Sequence, residues 1–267
     1  MSRMLAVARA YALGMLTYRT RTLVSLVSVL VAVIPVYFVA GALQPIAAKA
    51  IASESTEYFT YLIVGSVASF IVVEAVSAIP SFVSSYINSG TLEQLLTTPI
   101  RWPSLMAGLS LYGFGWVAMR ALVLMLTAWV WATSTIHWLR LPELLVIFAL
   151  LALTYLGVGL VAGALVVLVR SSLFIPQAVG AFSALLGTVY FPVRVLPPLF
   201  APLAAFVPTT PALRAARQVM LLDAPLASVV PEFVQLCGWT AASLAIGGTC
   251  FHLALRHARR AGTLSQY

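Results

Sequence analysis

Glu74 and Arg120 are the residues of this chain best placed to do chemistry, because each is an ionisable group inside a long apolar run. A charge at the centre of a bilayer costs roughly 2.5–3.5 kcal/mol on insertion scales, so each needs a partner or water. Glu74 stands 14 residues before Asn88, and Arg120 stands 17 after Pro103. At about 1.5 Å per helical residue, both lie roughly 20–25 Å from the intervening turn. Antiparallel neighbours at matching depth can pair, and a structural ion pair is the leading expectation. A polar lining for a water-filled route comes second. A proton-coupling carboxylate comes last, since no second intramembrane acid or histidine is there to relay a proton.

The other candidates for chemistry point nowhere. His137, His252 and His257 lack metal-ligand or catalytic spacing, and no intramembrane Ser/His or paired-Asp arrangement occurs. Cys237 and Cys250 sit thirteen apart on one apolar run, about 20 Å along a helix and too far to bridge. A membrane-embedded enzyme is therefore disfavoured.

The elements that hold these residues follow from composition. The chain is 62% hydrophobic and 8% charged, with mean hydropathy +1.03, against roughly 25% charged for a soluble domain. Runs longer than about 18 apolar residues recur, long enough to cross a bilayer. Six spans are predicted, at about Leu23–Leu43, Phe59–Val83, Leu105–Ala132, Leu144–Val169, Phe174–Phe191 and Phe233–Leu255. Pro35 and Pro80 should kink theirs. Gly159 and Gly163 have the small-xxx-small spacing of close helix approach, within one chain or between two. Residues 1–22 carry Arg3, Arg9, Arg19 and Arg21 without a cleavage site, which reads as an interfacial segment and not a leader. The whole of 1–267 reads as one transmembrane domain.

The net charge of +8 reads as topology and not as nucleic-acid binding, because the arginines are scattered. With both termini cytoplasmic, nine basic residues fall inside and five outside, the bias that retention of positive charge produces. Glu54, Glu57, Glu143, Asp223 and Glu232 are then outside, with Glu93 inside.

Two connections stand out. Gly90-Thr91-Leu92-Glu93-Gln94-Leu95-Leu96, in the 84–103 connection, reads as a short amphipathic helix on the cytoplasmic side. Thr91 and Gln94 have capping-box spacing, Leu92, Leu95 and Leu96 share a face, and Pro99 stops the helix. The alternative is a helix that merely rests on lipid headgroups. Residues 192–232 hold eight of the fifteen prolines yet stay apolar, as short re-entrant or surface helices do.

These features together resemble the permease subunit of type-2 ABC exporters. The match rests on six spans after a basic interfacial segment, and on Gly90–Leu96 with Thr98-Pro99 between spans two and three. It rests also on Tyr190-Phe191-Pro192, Leu196-Pro197 and Val207-Pro208-Thr209-Thr210 followed by Arg217. The resemblance implies an all-α half-transporter of the plasma (inner) membrane, which pairs with a second permease subunit, identical in the simplest case. It also implies two cytoplasmic ATPase subunits that grip Gly90–Leu96 as a coupling helix. No Gly-x-x-x-x-Gly-Lys-Ser/Thr loop occurs, and the one lysine is Lys49. ATP and Mg are thus expected on the partner, with no cofactor on this chain. An apolar wall with few polar groups suggests an amphipathic or hydrophobic substrate, such as a drug, a lipid or a lipid-linked molecule. The competing class is a self-sufficient secondary transporter or channel. Against it stand the lone buried acid and the absence of inverted repeats or a filter-like segment.

Overall fold

Hydropathy and helix breakers set the elements, and a computed structural model describes residues 19–88, 102–132, 136–169 and 174–260. Among the described residues every regular element is helical. In chain order these are α1 (Arg19–Ile51), α2 (Tyr58–Asn88), α3 (Trp102–Trp131), α4 (Leu141–Val169), α5 (Phe174–Leu186), α6 (Ala201–Phe206), α7 (Thr209–Leu221) and α8 (Val230–Arg260). Single 3-10 turns at Trp138–Arg140, Val193–Val195 and Leu226–Val229 link them.

Among the described residues five helices, α1 to α4 and α8, are long and apolar enough to cross a bilayer. The fifth expected span needs correction. It ends at Leu186 and not at Phe191, leaving α5 with 13 residues, about 20 Å long against about 30 Å of hydrocarbon. Gly187 donates its N–H to the Ser183 carbonyl at 2.9 Å, and Thr188 then turns the chain with φ +61°. The first span, by contrast, overruns its expected end at Leu43 and continues through Pro45 to Ile51. Gln44 makes use of that extra length. Its Nε2 donates to the Thr56 carbonyl at 3.1 Å and its Oε1 accepts from the Tyr58 N–H at 2.6 Å, tying the end of α1 to the start of α2. Neither Pro35 nor Pro80 interrupts its helix.

α2 is the hub, touching α1, α3, α4, α5 and α7, while α4 makes its most extensive contact with α8. Helices in lipid gain little from burying apolar surface, so close approach through small residues matters. A Cβ on Gly159 would lie 2.8 Å from the Ala75 carbonyl, and one on Gly163 would lie 2.6 Å from Ile79 Cγ2. The small-xxx-small pair is therefore spent inside the chain, against α2. On the α8 side, Gly157 meets the Ser243 backbone and Gly247 meets the Gly157 carbonyl. The main core gathers Tyr61, Val64, Ile147, Leu151, Leu213 and Met220. A smaller one, with Ile79, Phe82, Val166 and Phe251, lies further along α2 and α4.

The proline-rich connection divides in two. α7 is amphipathic but almost entirely buried, with Thr209, Ala212, Leu213, Ala216, Arg217 and Met220 all inside. It packs on α2, α4 and α8. α6 and its approach expose Leu199, Leu203 and Phe206.

Candidate functional site

Two polar features interrupt the apolar bundle. The first is a stripe along α2. Its serines are Ser66, Ser69, Ser77, Ser81, Ser84 and Ser85, and its one glutamate is Glu74. At about 100° per residue all seven fall within about 160° of the helix circumference. The opposite face, with Val64, Ala68, Val72, Ala75, Val76 and Ile79, is buried. None of the seven is buried as a whole residue, and Ser81 and Ser85 are exposed, but the Ser69 Oγ is itself buried without a hydrogen-bond partner. Within the same arc Val73 lies against Gly180 of α5, and toward its edge Glu74 feels the charge of Arg120 on α3.

Glu74 and Arg120 do not form the expected ion pair. No salt bridge joins them; the Arg120 Nη2 donates instead to Ser25 Oγ of α1 at 2.8 Å. Its guanidinium stacks on Trp116, 4.9 Å from the ring centroid, and its buried Nε has no acceptor. Arg120 leans toward α1, and Glu74 stays half-buried on the stripe.

The second feature is a buried knot at the end of the bundle where α1 meets α2. Arg217 of α7 is 0% exposed and pairs with Glu54, Nη1 to Oε2, at 3.1 Å. The same Nη1 donates to the Thr188 carbonyl at 3.0 Å. Nη2 donates to the carbonyls of Tyr61 at 3.2 Å and Val189 at 3.1 Å. The guanidinium lies flat on the Tyr61 ring, 3.3 Å from its centroid. Burial lowers the Arg217 pKa, with Tyr61 and Glu54 opposing, yet arginine stays charged throughout the physiological range. Tyr61 Oη also donates to Thr188 O at 3.1 Å, and Tyr58 Oη to Tyr190 O at 2.9 Å. Three consecutive carbonyls of the turn after α5 are thus held by donors from α2 and α7. Glycine is required at position 65, where a Cβ would lie 2.5 Å from the Val189 oxygen. Beneath the turn, Tyr155 Oη of α4 lies 2.8 Å from both Ser183 Oγ of α5 and Thr209 Oγ1 of α7.

Of the outer-connection residues expected to matter, Arg217 lies in this knot. Phe191 and Pro192 line a groove beside it, Pro208 is the N-cap of α7, and Pro197 is exposed. Sequence reasoning missed Glu54 as the partner of Arg217, and Thr188 and Gly65 as its supports. One signal was available: of the two arginines in the Pro211–Leu221 run, Arg217 shares a helical face with Leu213 and Met220. The residues expected to couple to the ATPase, Gly90, Thr91, Leu92, Glu93, Gln94, Leu95 and Leu96, lie outside the described residues, as does most of the segment 1–22.

With that geometry in view, residues 4–221 match the family described as ABC-2 type transporter. The chain belongs to the ABC-2 transporter family. No curated protein matches it. This chain is therefore a multi-pass membrane component of an ABC transporter, and the family implies association with an ATPase subunit. The matched stretch takes in α1 through α7, and so both the stripe and the knot.

Proposed function

We propose that this ABC-2 protein is the permease subunit of an ATP-driven exporter, and that α2 lines its substrate route. The serine–Glu74 stripe carries this reading. A spanning helix gains nothing by turning hydroxyls and a carboxylate to lipid, where a lone charge costs roughly 2.5–3.5 kcal/mol. Such a face needs water or a polar cargo. Two permease subunits facing each other across their α2 stripes enclose a route polar on these strips and apolar elsewhere, which suits an amphipathic cargo such as a drug or lipid-linked molecule. Both termini and the 84–103 connection are cytoplasmic in this reading. Two separate ATPase subunits, holding ATP and Mg, dock on Gly90–Leu96. The Arg217 knot then closes the external end, as the rigid stop against which α5 and α7 are braced.

The test is reconstitution with the partner ATPase, followed by ATP-dependent movement of a fluorescent amphiphile in proteoliposomes. Replacing Leu92, Leu95 or Leu96 with Asp should remove the ATPase from pull-downs and abolish transport while the permease still inserts. A carboxylate buried without a counter-charge costs several kcal/mol, enough to empty a micromolar interface. Retention of the ATPase and full transport by all three variants would overturn the coupling assignment.

A further inference from the structure

Tyr37, Ala40, Gly41 and Gln44 of α1 follow one another at i, i+3, i+4 and i+7 and so share one helix face. That face lines a cavity of about 310 Å³, bordered on the other side by Glu57 and Phe59 at the start of α2. The aromatic walls are held in place. The rings of Tyr37 and Phe59 meet at 85° with 5.2 Å between centroids, and Trp131 of α3 packs on Tyr37 at 5.2 Å and 71°. The carboxylate is held too. The Glu57 N–H donates to Ser55 Oγ at 3.2 Å, that hydroxyl donates to the Glu57 carbonyl at 2.8 Å, and Thr60 Oγ1 donates to Glu57 Oε2 at 2.8 Å. A carboxylate has about four acceptor sites, so the Thr60 bond orients it without using it up. Gln44 has its amide oxygen and one donor committed to Tyr58 and Thr56. Among the described residues no cation lines the cavity, and Arg217 in the knot is held by Glu54. The space therefore offers a negative charge and π surfaces, and few donors. A neutral polar guest such as a sugar needs donors as well as acceptors, whereas an ammonium brings only donors and positive charge.

We propose that this cavity is a binding site for an organic ammonium group, with the nitrogen held between the Glu57 carboxylate and the rings of Tyr37 and Phe59. It lies where α1 ends and α2 begins, at headgroup depth for the leaflet on that side. Two sources carry this chemistry there: the headgroup of phosphatidylethanolamine and a dissolved alkylammonium ion. The site uses no residue of the α2 stripe and stands whether or not cargo moves along it.

Isothermal titration of the delipidated transporter in maltoside micelles tests this, with choline and with its uncharged isostere, in which tert-butyl replaces trimethylammonium. Choline should bind about tenfold more tightly than the isostere, the order that a carboxylate and aromatic rings give a cation. Glu57→Gln keeps the side-chain shape and an acceptor for Thr60, and should remove that preference. Tyr37→Leu should weaken choline severalfold, while Tyr37→Phe keeps the affinity. The Gly41 Cβ position has nothing within 4 Å, so Gly41→Leu fills the cavity without a clash and should abolish choline binding with the thermal transition unchanged. Phosphatidylethanolamine added to the micelles separates the two sources. Competition with choline assigns the site to the lipid headgroup, and undisturbed choline binding assigns it to a dissolved ammonium. Failure of the native chain to bind choline overturns the proposal, as does equal affinity for choline and its isostere. Unchanged choline binding in folded Glu57→Gln and Gly41→Leu variants overturns it too.

Discussion

At the scale of single residues, Arg217 dominates. It is a fully buried cation with four hydrogen bonds, one to a carboxylate and three to carbonyls, and a ring beneath it. Removing one partner of a buried pair strands the other charge, which typically costs about 3–5 kcal/mol. Arg217→Ala and Glu54→Gln should each lower the thermal transition of the detergent-purified protein sharply. Arg217→Lys should rescue little, because an ammonium cannot reach all four acceptors and stack as well. Glu74 and Arg120 should behave oppositely. Lacking an ion pair, Glu74→Gln should change stability by less than about 1 kcal/mol, and the Glu74→Gln/Arg120→Gln double variant should show additive losses. Recovery in the double variant would restore the direct pair. Asp223 offers a pH test at the surface. Its hydrogen bond from Arg140 at 2.8 Å holds its carboxyl below the ordinary aspartate range. The folded form therefore gains stability at pH above the unfolded aspartate value and loses it as pH falls through the depressed one. Asp223→Asn should erase that acid-side component in melts between about pH 5 and pH 2. None of these pairings is local. Glu54 and Arg217 are 163 positions apart, and in the sequence Glu54 reads only as one more external charge.

At the scale of elements, the long spans were legible because each needs only a sustained apolar run. α5 was not, since Gly187-Thr188-Val189-Tyr190-Phe191 extends the apolar run without a proline. It is the donors of Tyr58, Tyr61 and Arg217 that take its carbonyls and make a turn there. The α2 stripe was visible in the spacing of its serines, yet a search for ionisable groups passes over hydroxyls. The seam between α2 and α4 gives a prediction of its own. Gly159→Val would force a side chain into the Ala75–Val76 backbone, and overpacking of that kind costs about 1–3 kcal/mol. Loss of the well-dispersed, detergent-stable species on size-exclusion chromatography would report it, and an unaltered melt would show that α4 can retreat. Gly41 and Gly115 have open space at their Cβ positions, so Ala at either should be silent.

At the scale of the whole molecule, a helix hub buries one face of α2 in the bundle, and a charged knot fixes one end. That leaves a polar strip along α2, the proposed cargo route. The most direct measurement is a single-cysteine scan of α2 in a background with Cys237 and Cys250 replaced, using a hydrophilic, membrane-impermeant thiol reagent on the assembled transporter. A water-filled route along α2 predicts rapid labelling at Ser66, Ser69, Ser77 and Ser81, with little at Val64, Val72 and Val76 on the opposite face. It also predicts that cargo in excess protects the labelled positions. Labelling confined to the two helix ends, with the serines between them inert, would mean a dry stripe and would contradict the route.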